Sequence, residues 1–372
     1  MSDPDIIYLN HAGTSWPSPE SVALAASAVM HLSPASWPDL FEQSRRTVAE
    51  FFHVDPLRLL LTPSCTAALN VAIMDHMWKP GDQIITSHYE HHAVHRNLVK
   101  LQEHAVDVKT LPSGGDELID LDVLESELKS NDVRLLAITA ACNVTGRLLP
   151  IADAIDLAHR FGTLVLIDGA QIAGWWDMDV HTLGADLFTF AGHKGLQSPW
   201  GIGGLIVAPH VTMNCPQAAC ERADSEADSH CALMPGYCDV GSVNYGALAG
   251  LAAGCRWLSD PERQNRLEHA RGLAREFRDA IRRLPRVVIH DDVAMEQKMP
   301  TVAMTVRGTS SVEIAKGLRQ KGLIVSGGFQ CPPQAHNALG TDKAGVIRIS
   351  FGPLNAADDV AGALEAMATV IR

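Results

Sequence analysis

Long hydrophobic runs are missing from this chain of 372 residues. No stretch reaches the roughly 20 apolar residues a helix needs to cross a bilayer, so no helical membrane span is expected. Basic charge is also scarce: 30 Lys and Arg stand against 43 Asp and Glu, a formal net of -13. That balance argues against nucleic acid and anionic membrane surfaces as partners. The first residues, Met1-Ser2-Asp3-Pro4-Asp5, carry neither a basic n-region nor an apolar h-region, so no signal peptide is expected. None of the eight Cys (65, 142, 215, 220, 231, 238, 255 and 331) forms a CxxC pair. They read as reduced thiols of a cytoplasmic protein. Internal repeats and low-complexity segments are lacking too. What is present is ordinary: 47% apolar and 20% charged residues, in a length that suits two domains or one large α/β unit.

Short apolar runs alternate with helical patterns from about residue 50 to 210. Strands are predicted at 57–62, 83–86, 106–111, 135–139, 164–167, 187–190 and 204–207. Helices are predicted between them at 66–74, 94–101, 121–128 and 151–161. This alternation predicts a mostly parallel sheet covered by helices on both faces. Ligands in such sheets gather at the carboxyl ends of the strands. Thr62, Thr86, Asn143 and Asp168 fall at or just past such ends. Residues 208–245 break the pattern and read as a long loop. Beyond them, helices at 247–258, 262–284, 311–320 and 358–371 mix with strands at 287–290, 301–306, 323–326 and 346–351. That is an α+β unit. The expected division is a large domain over 16–245, with 1–15 and 246–372 forming a smaller one.

The chemistry centres on Lys194, in Thr189-Phe190-Ala191-Gly192-His193-Lys194-Gly195-Leu196. Upstream, an apolar strand ends in Asp168-Gly169-Ala170-Gln171. Pyridoxal phosphate needs an amine for its Schiff base and a carboxylate to keep its pyridine nitrogen protonated. A partly desolvated Lys serves as the first and a strand-end Asp as the second. The turn Thr62-Pro63-Ser64-Cys65-Thr66 offers hydroxyls and free amides at a helix N-terminus, which suits a phosphate. Ordinary N-capping by Ser64 or Thr66 accounts for the same residues.

Ser87-His88-Tyr89-Glu90-His91-His92-Ala93-Val94-His95 places four His at spacings that would share one helical face if the helix began early. A metal site is one reading and a His stacked on a cofactor ring another; partly buried, hydrogen-bonded His is a third. Asn143 either bonds a ligand oxygen or is a turn residue before Gly146. Cys331, in Ser326-Gly327-Gly328-Phe329-Gln330-Cys331-Pro332-Pro333, sits on a loop bracketed by Gly and Pro, where a thiol is exposed and reactive. Arg348 interrupts an apolar strand. It wants a carboxylate, from a substrate or from an internal Asp or Glu.

Together these segments resemble the class V aminotransferase superfamily, and within it the cysteine desulfurase and selenocysteine lyase group. The marks are Tyr8-Leu9-Asn10-His11-Ala12-Gly13-Thr14, Glu90-His91, Asn143, Asp168 with Gln171, Gly192-His193-Lys194, Gly241-Ser242-Val243-Asn244, the Cys331 loop and Arg348. The resemblance spans nearly the whole chain. It implies the fold-type I α/β architecture of pyridoxal 5'-phosphate enzymes and a homodimer. Lys194 would carry the Schiff base and then move protons. Asp168 would pair with the pyridinium, Gln171 with the phenolic oxygen, and His91 would stack on the ring. Cys65, Thr66, His193 and Asn143 complete the cofactor set. Ala12, Asn143 and Arg348 would receive the substrate. Cys331 matches the mobile-loop nucleophile that takes the sulfur of L-cysteine as a persulfide while alanine leaves. A sulfur-acceptor protein is then a possible partner.

The chain departs from the group's pattern in places. Ser326 stands where an Arg is common, and Gln330 where a His commonly precedes the Cys. The region of the usual Gly-Thr-rich phosphate stretch reads Cys220-Glu-Arg-Ala-Asp-Ser-Glu-Ala-Asp-Ser-His230, which is acidic. One alternative keeps the cofactor and dispenses with Cys331: a C–S lyase, a selenocysteine lyase or another specialised β-elimination, with Lys194 as the base. A second alternative is a metal-binding or sulfur-carrying interaction protein built on His88–His95 and the scattered Cys.

Overall fold

The computed structural model describes residues 6–74, 76–113, 118–176, 178–213 and 243–371. Along the chain come β1 (Ile7–Tyr8), α1 (Glu20–Ala28), α2 (Trp37–Phe51), β2 (Leu59–Thr62) and α3 (Cys65–Met74). Then follow β3 (Gln83–Thr86), α4 (His92–Gln102), β4 (Asp107–Thr110), α5 (Leu121–Ser130), β5 (Val133–Thr139) and α6 (Ile151–Arg160). Next are β6 (Leu164–Asp168), α7 (Val180–Leu183), β7 (Leu187–Ala191), β8 (Gly203–Val207) and α8 (Tyr245–Leu258). The last third holds α9 (Arg266–Ile281), β9 (Val287–His290), β10 (Thr301–Val306), α10 (Ser311–Arg319), β11 (Leu323–Ile324) and β12 (Ser326–Gly328). It closes with α11 (Pro333–Ala338), β13 (Val346–Ser350) and α12 (Ala357–Val370).

The chain forms two compact units. The larger comprises Ser18–Ala140 and Leu149–Gln264. Its seven-stranded sheet runs β2-β8-β7-β6-β5-β3-β4. The strands β7, β6, β5, β3 and β4 are parallel, while β8 runs against both β2 and β7. The central strands β5, β6 and β7 are buried on both faces, as their unbroken apolar runs require. Leu69, Val94, Leu135, Leu166, Leu187 and Leu205 meet in the core between sheet and helices.

The smaller unit comprises Met1–Pro17, Ala141–Leu148 and Asn265–Arg372. Its sheet β12-β13-β10-β9 is antiparallel, and β1 pairs in parallel with β11. Two placements differ from the expected division. Helix α8, beyond the expected boundary at 246, packs on α1 and α2 in the larger unit. The hairpin Ala141–Leu148, enclosed in sequence by the larger unit, belongs to the smaller one. Its amides explain this: Leu148 N–H donates to Gln297 O at 2.9 Å and Met299 N–H to Gly146 O at 2.7 Å. Gly146 has φ +79°, and a Cβ there would lie 2.8 Å from Thr301 Cβ, so only glycine permits the approach.

Candidate active site

In the larger unit, strand ends supply the chemistry. Asp168 closes β6, in register with Thr139 of β5 and Thr189 of β7. The buried carboxylate accepts the Ala170 N–H at Oδ1, 3.0 Å away. Cys65 Sγ lies 3.7 Å from the same oxygen and 3.5 Å from Thr189 Oγ1. Burial, then the Asp168 charge, pushes the Cys65 thiol well above its usual range, so it stays protonated and acts as a donor. Its side chain therefore supports Asp168 rather than a phosphate.

The amides at the start of α3 remain. Ser64 Oγ caps the helix by accepting the Ala67 N–H at 3.2 Å. The first-turn amides of Cys65 and Thr66 have no intrahelical acceptor, and the Thr66 side chain is exposed. Gly203 brings β8 against this turn, since a Cβ there would sit 2.6 Å from Cys65 N.

His91 is the N-cap of α4, its Nδ1 accepting the Ala93 N–H at 3.0 Å. That bond puts the ring proton on Nε2. Burial lowers the His91 pKa, Asp168 opposes the shift, and Lys194 adds to it. Cys65 likewise feels both Asp168 and Lys194, so Cys65, His91, Asp168 and Lys194 share one electrostatic neighbourhood. His193 is lowered to about 4 by burial and by the Lys194 charge, and is neutral at pH 7. Gln171 is buried in the turn after β6. An amine, a buried carboxylate, a neutral imidazole and a helix start with free amides suit an aromatic amine-reactive phosphate such as pyridoxal phosphate.

The four-His face does not form. Helix α4 starts at His92, so only His92 and His95 lie on it, and His91 is spent as its cap. Among the described residues no group of three metal-ligating side chains gathers.

The smaller unit carries a second set. Arg348 sits mid-strand in β13 and is buried. Its Nη1 donates to Asn143 O at 2.7 Å and its Nη2 to Asn10 Oδ1 at 3.0 Å. Its Nε is buried with no partner, and so is Asn143 Oδ1. Among the described residues no Asp or Glu pairs with this guanidinium. Burial lowers the Arg348 pKa to about 10, with Cys331, Cys142 and Tyr8 pulling it back up; the group stays charged at pH 7. Ser326 of β12 is the register partner of Arg348, and the loop leading from that strand bears exposed Cys331. The Ala12 N–H donates to Ser350 Oγ at 2.8 Å.

Sequence reasoning missed three residues here. Asn10 lay within a noted segment, but nothing local ties it to Arg348. Glu90 was seen only as part of a turn. Its Oε1 accepts from Ser87 Oγ at 2.6 Å and Thr139 N–H at 3.0 Å, while Oε2 is buried and unpartnered. Burial raises its pKa to about 8, the two donors oppose this, and Asp168 adds to it. His336 was not noted at all. The acidic stretch 220–230, Gly241, Ser242 and four of the Cys (215, 220, 231 and 238) lie outside the described residues.

The family model for aminotransferase class V matches residues 19–362. A probable cysteine desulfurase of Pseudomonas aeruginosa is 30% identical, the alignment covering 86% of this chain and 80% of the relative. Cysteine desulfurase CsdA of Escherichia coli is 29% identical over 95% of this chain and 91% of its own length. The crystal structure of that enzyme in an S-sulfonic acid form superposes with a TM-score of 0.88 at 26% identity, covering 98% of this chain and 94% of the other.

Proposed function

This chain belongs to the class V aminotransferase family, whose cofactor is pyridoxal 5'-phosphate, and from that membership we propose that it is a cysteine desulfurase. It would convert L-cysteine to L-alanine and hold the sulfur as a persulfide on Cys331. The observation that carries the reading is Arg348: a buried, charged fork with an unpartnered Nε and no carboxylate of its own, in the same unit as exposed Cys331.

The cofactor supplies an electron sink for bonds at the substrate α-carbon. Lys194 Nζ would anchor it and move the proton taken from that carbon. Asp168, whose carboxylate is fixed by Cys65 and the Ala170 amide, would hold a proton on the ring nitrogen. His91 would cover the ring and Gln171 would meet its phenolic oxygen. The Cys65 and Thr66 amides, the Thr66 hydroxyl and His193 would take the phosphate. Arg348 and Asn143 orient the substrate carboxylate, beside Ala12. The Cys331 thiolate attacks the substrate sulfur. An S–S bond forms as the C–S bond breaks, the bonding pair stays with carbon, and that carbon takes up a proton and leaves as alanine.

A homodimer fits the exposed apolar side chains of the larger unit, with Met30 84%, Trp200 71% and Leu24 61% accessible. A sulfur-acceptor protein would then collect from Cys331. No described helix is long and apolar enough to cross a membrane, and a cytoplasmic setting suits a thiol nucleophile. The test compares wild type and Cys331→Ala on L-cysteine. Loss of alanine and of the persulfide is expected. Unchanged alanine formation overturns the role of Cys331, and pyruvate with ammonia would reassign the reaction to β-elimination.

A further inference from the structure

The Cys331 loop lacks a His immediately before its thiol, but a His lies beneath it. His336, on α11, is buried. Its Nε2 accepts the backbone N–H of Gln330 at 3.1 Å. Its Nδ1 lies 2.8 Å from Thr341 Oγ1. A backbone amide only donates, so Nε2 carries no proton and Nδ1–H donates to the Thr341 hydroxyl. That hydroxyl points on to His336 O at 3.4 Å, and the Thr341 N–H reaches the same carbonyl at 2.8 Å. The acceptor role of Nε2 thus requires the neutral imidazole. Burial, aided by the nearby His290, depresses the His336 pKa in the same sense.

The loop is tied from the other side as well. The Gln330 carboxamide turns away from solvent, its Nε2 3.4 Å from both Ser326 Oγ and Val346 O. The Phe329 ring meets the His336 ring edge-on at 5.3 Å. Gln330 is therefore gripped by main chain and side chain, and the next residue, Cys331, is left exposed.

We propose that His336 is a positioning residue for the nucleophile: its clasp on the Gln330 amide sets the direction in which the Cys331 thiol leaves the loop. The proposal rests on Cys331 acting as the sulfur-accepting group. A thiol misplaced by about 1 Å loses on the order of 100-fold in rate, so a single hydrogen bond at the preceding amide is a strong lever.

The test uses the full-length, cofactor-loaded protein and two readouts. One is steady-state alanine formation from L-cysteine. The other is alkylation of Cys331 by iodoacetamide, followed by mass spectrometry of the Cys331 peptide. His336→Leu removes both bonds. It is expected to lower kcat about tenfold or more while leaving KM within about twofold, and to speed alkylation about threefold as the loop is released. His336→Gln keeps an acceptor near the Nε2 position and is expected to recover most of kcat. Thr341→Val, which removes only the Nδ1 partner, should fall between and serves if His336→Leu fails to fold. Wild-type kcat and alkylation in His336→Leu and Thr341→Val overturn the proposal. So does a folded His336→Gln no better than His336→Leu. If Cys331→Ala retains full alanine formation, the sulfur-accepting role of Cys331 fails by itself. The alkylation rates then still decide whether His336 orients the thiol.

Discussion

The proposed cofactor residues of the larger unit and the proposed substrate residues of the smaller one are built differently. Asp168 ends β6 in register with Thr189 of the adjacent parallel strand β7, both strands buried on both faces, and Lys194 follows three residues after β7. Their positions follow from backbone ladders that cannot shift without moving the core. Arg348 is also in a strand, but its partners Asn143 and Asn10 come from a hairpin and an N-terminal turn far away in sequence. Cys331 is further still from the ladders, on an exposed loop held by Gln330 and His336. The group proposed to anchor a ring follows directly on a buried strand; the group proposed to carry sulfur is tethered by a few hydrogen bonds. Loops on a firm scaffold are where such transfers are usually placed.

The largest expected effect breaks the rigid side. Lys194→Ala should abolish turnover, a loss beyond about 1,000-fold, and remove the visible absorption near 420 nm of the cofactor-loaded protein. Retention of that band after dialysis would show that another amine holds the cofactor. On the substrate side, Arg348→Ala should lower kcat/KM for L-cysteine about 100-fold or more while the visible band survives. Arg348→Lys should not restore it, because an ammonium cannot donate to Asn143, Asn10 and a carboxylate in one plane. Equal loss of the band in Arg348→Ala would erase the contrast between the two sets.

Smaller effects sharpen the same contrast through stability. Arg147 and Asp291 form a buried ion pair at 2.9 Å, anchoring the hairpin that presents Asn143. Arg147→Met removes the direct ion-pair partner of the Asp291 carboxylate, leaving the nearby Lys298 ammonium as its counter-charge, and should cost about 3 kcal/mol, read as a lower denaturation midpoint. KM for cysteine should rise with it, and an unchanged KM would detach the hairpin's anchor from Asn143.

Glu90 tests the larger unit by pH. Its folded pKa, about 8, is raised above the ordinary carboxyl value of 4.5, so the folded state holds this proton more tightly than the unfolded chain does. Stability from this group is full below the unfolded value and is lost as pH rises towards 8. Glu90→Gln, neutral at every pH, should match wild type in Tm near pH 4.5 and exceed it increasingly up to about pH 8. A difference flat with pH would mean Glu90 is ionised in the fold.

Much of this architecture was legible in the chain. Strands Gln83–Thr86, Val287–His290 and Thr301–Val306 match their apolar runs residue for residue. Lys194 and Asp168 stood out because strand-end chemistry is local: an apolar run stops and a charged group follows. Other elements left no such mark. Helices α1 and α2 lie in a stretch broken by Pro17, Pro19, Pro34 and Pro38, which masks their periodicity. Strand β1 has two residues and exists only through its partner β11, more than 300 positions away. The four-His face failed because His91 was needed as a cap, which moved the helix start past it.

Taken by itself, the sequence determined the α/β alternation, the Lys–Asp pair and the exposed thiol, since each depends on neighbours within a few residues. Only the tertiary structure decided that Arg348 pairs with Asn143 and Asn10 and with no carboxylate among the described residues, that Cys65 turns to Asp168, that the Ala141–Leu148 hairpin joins the smaller unit, and that His336 holds the amide of Gln330. The physical reason is the same in each case. Periodicity encodes which face of an element is buried, but a buried polar group is satisfied by whatever the folded chain brings within 3 Å or so.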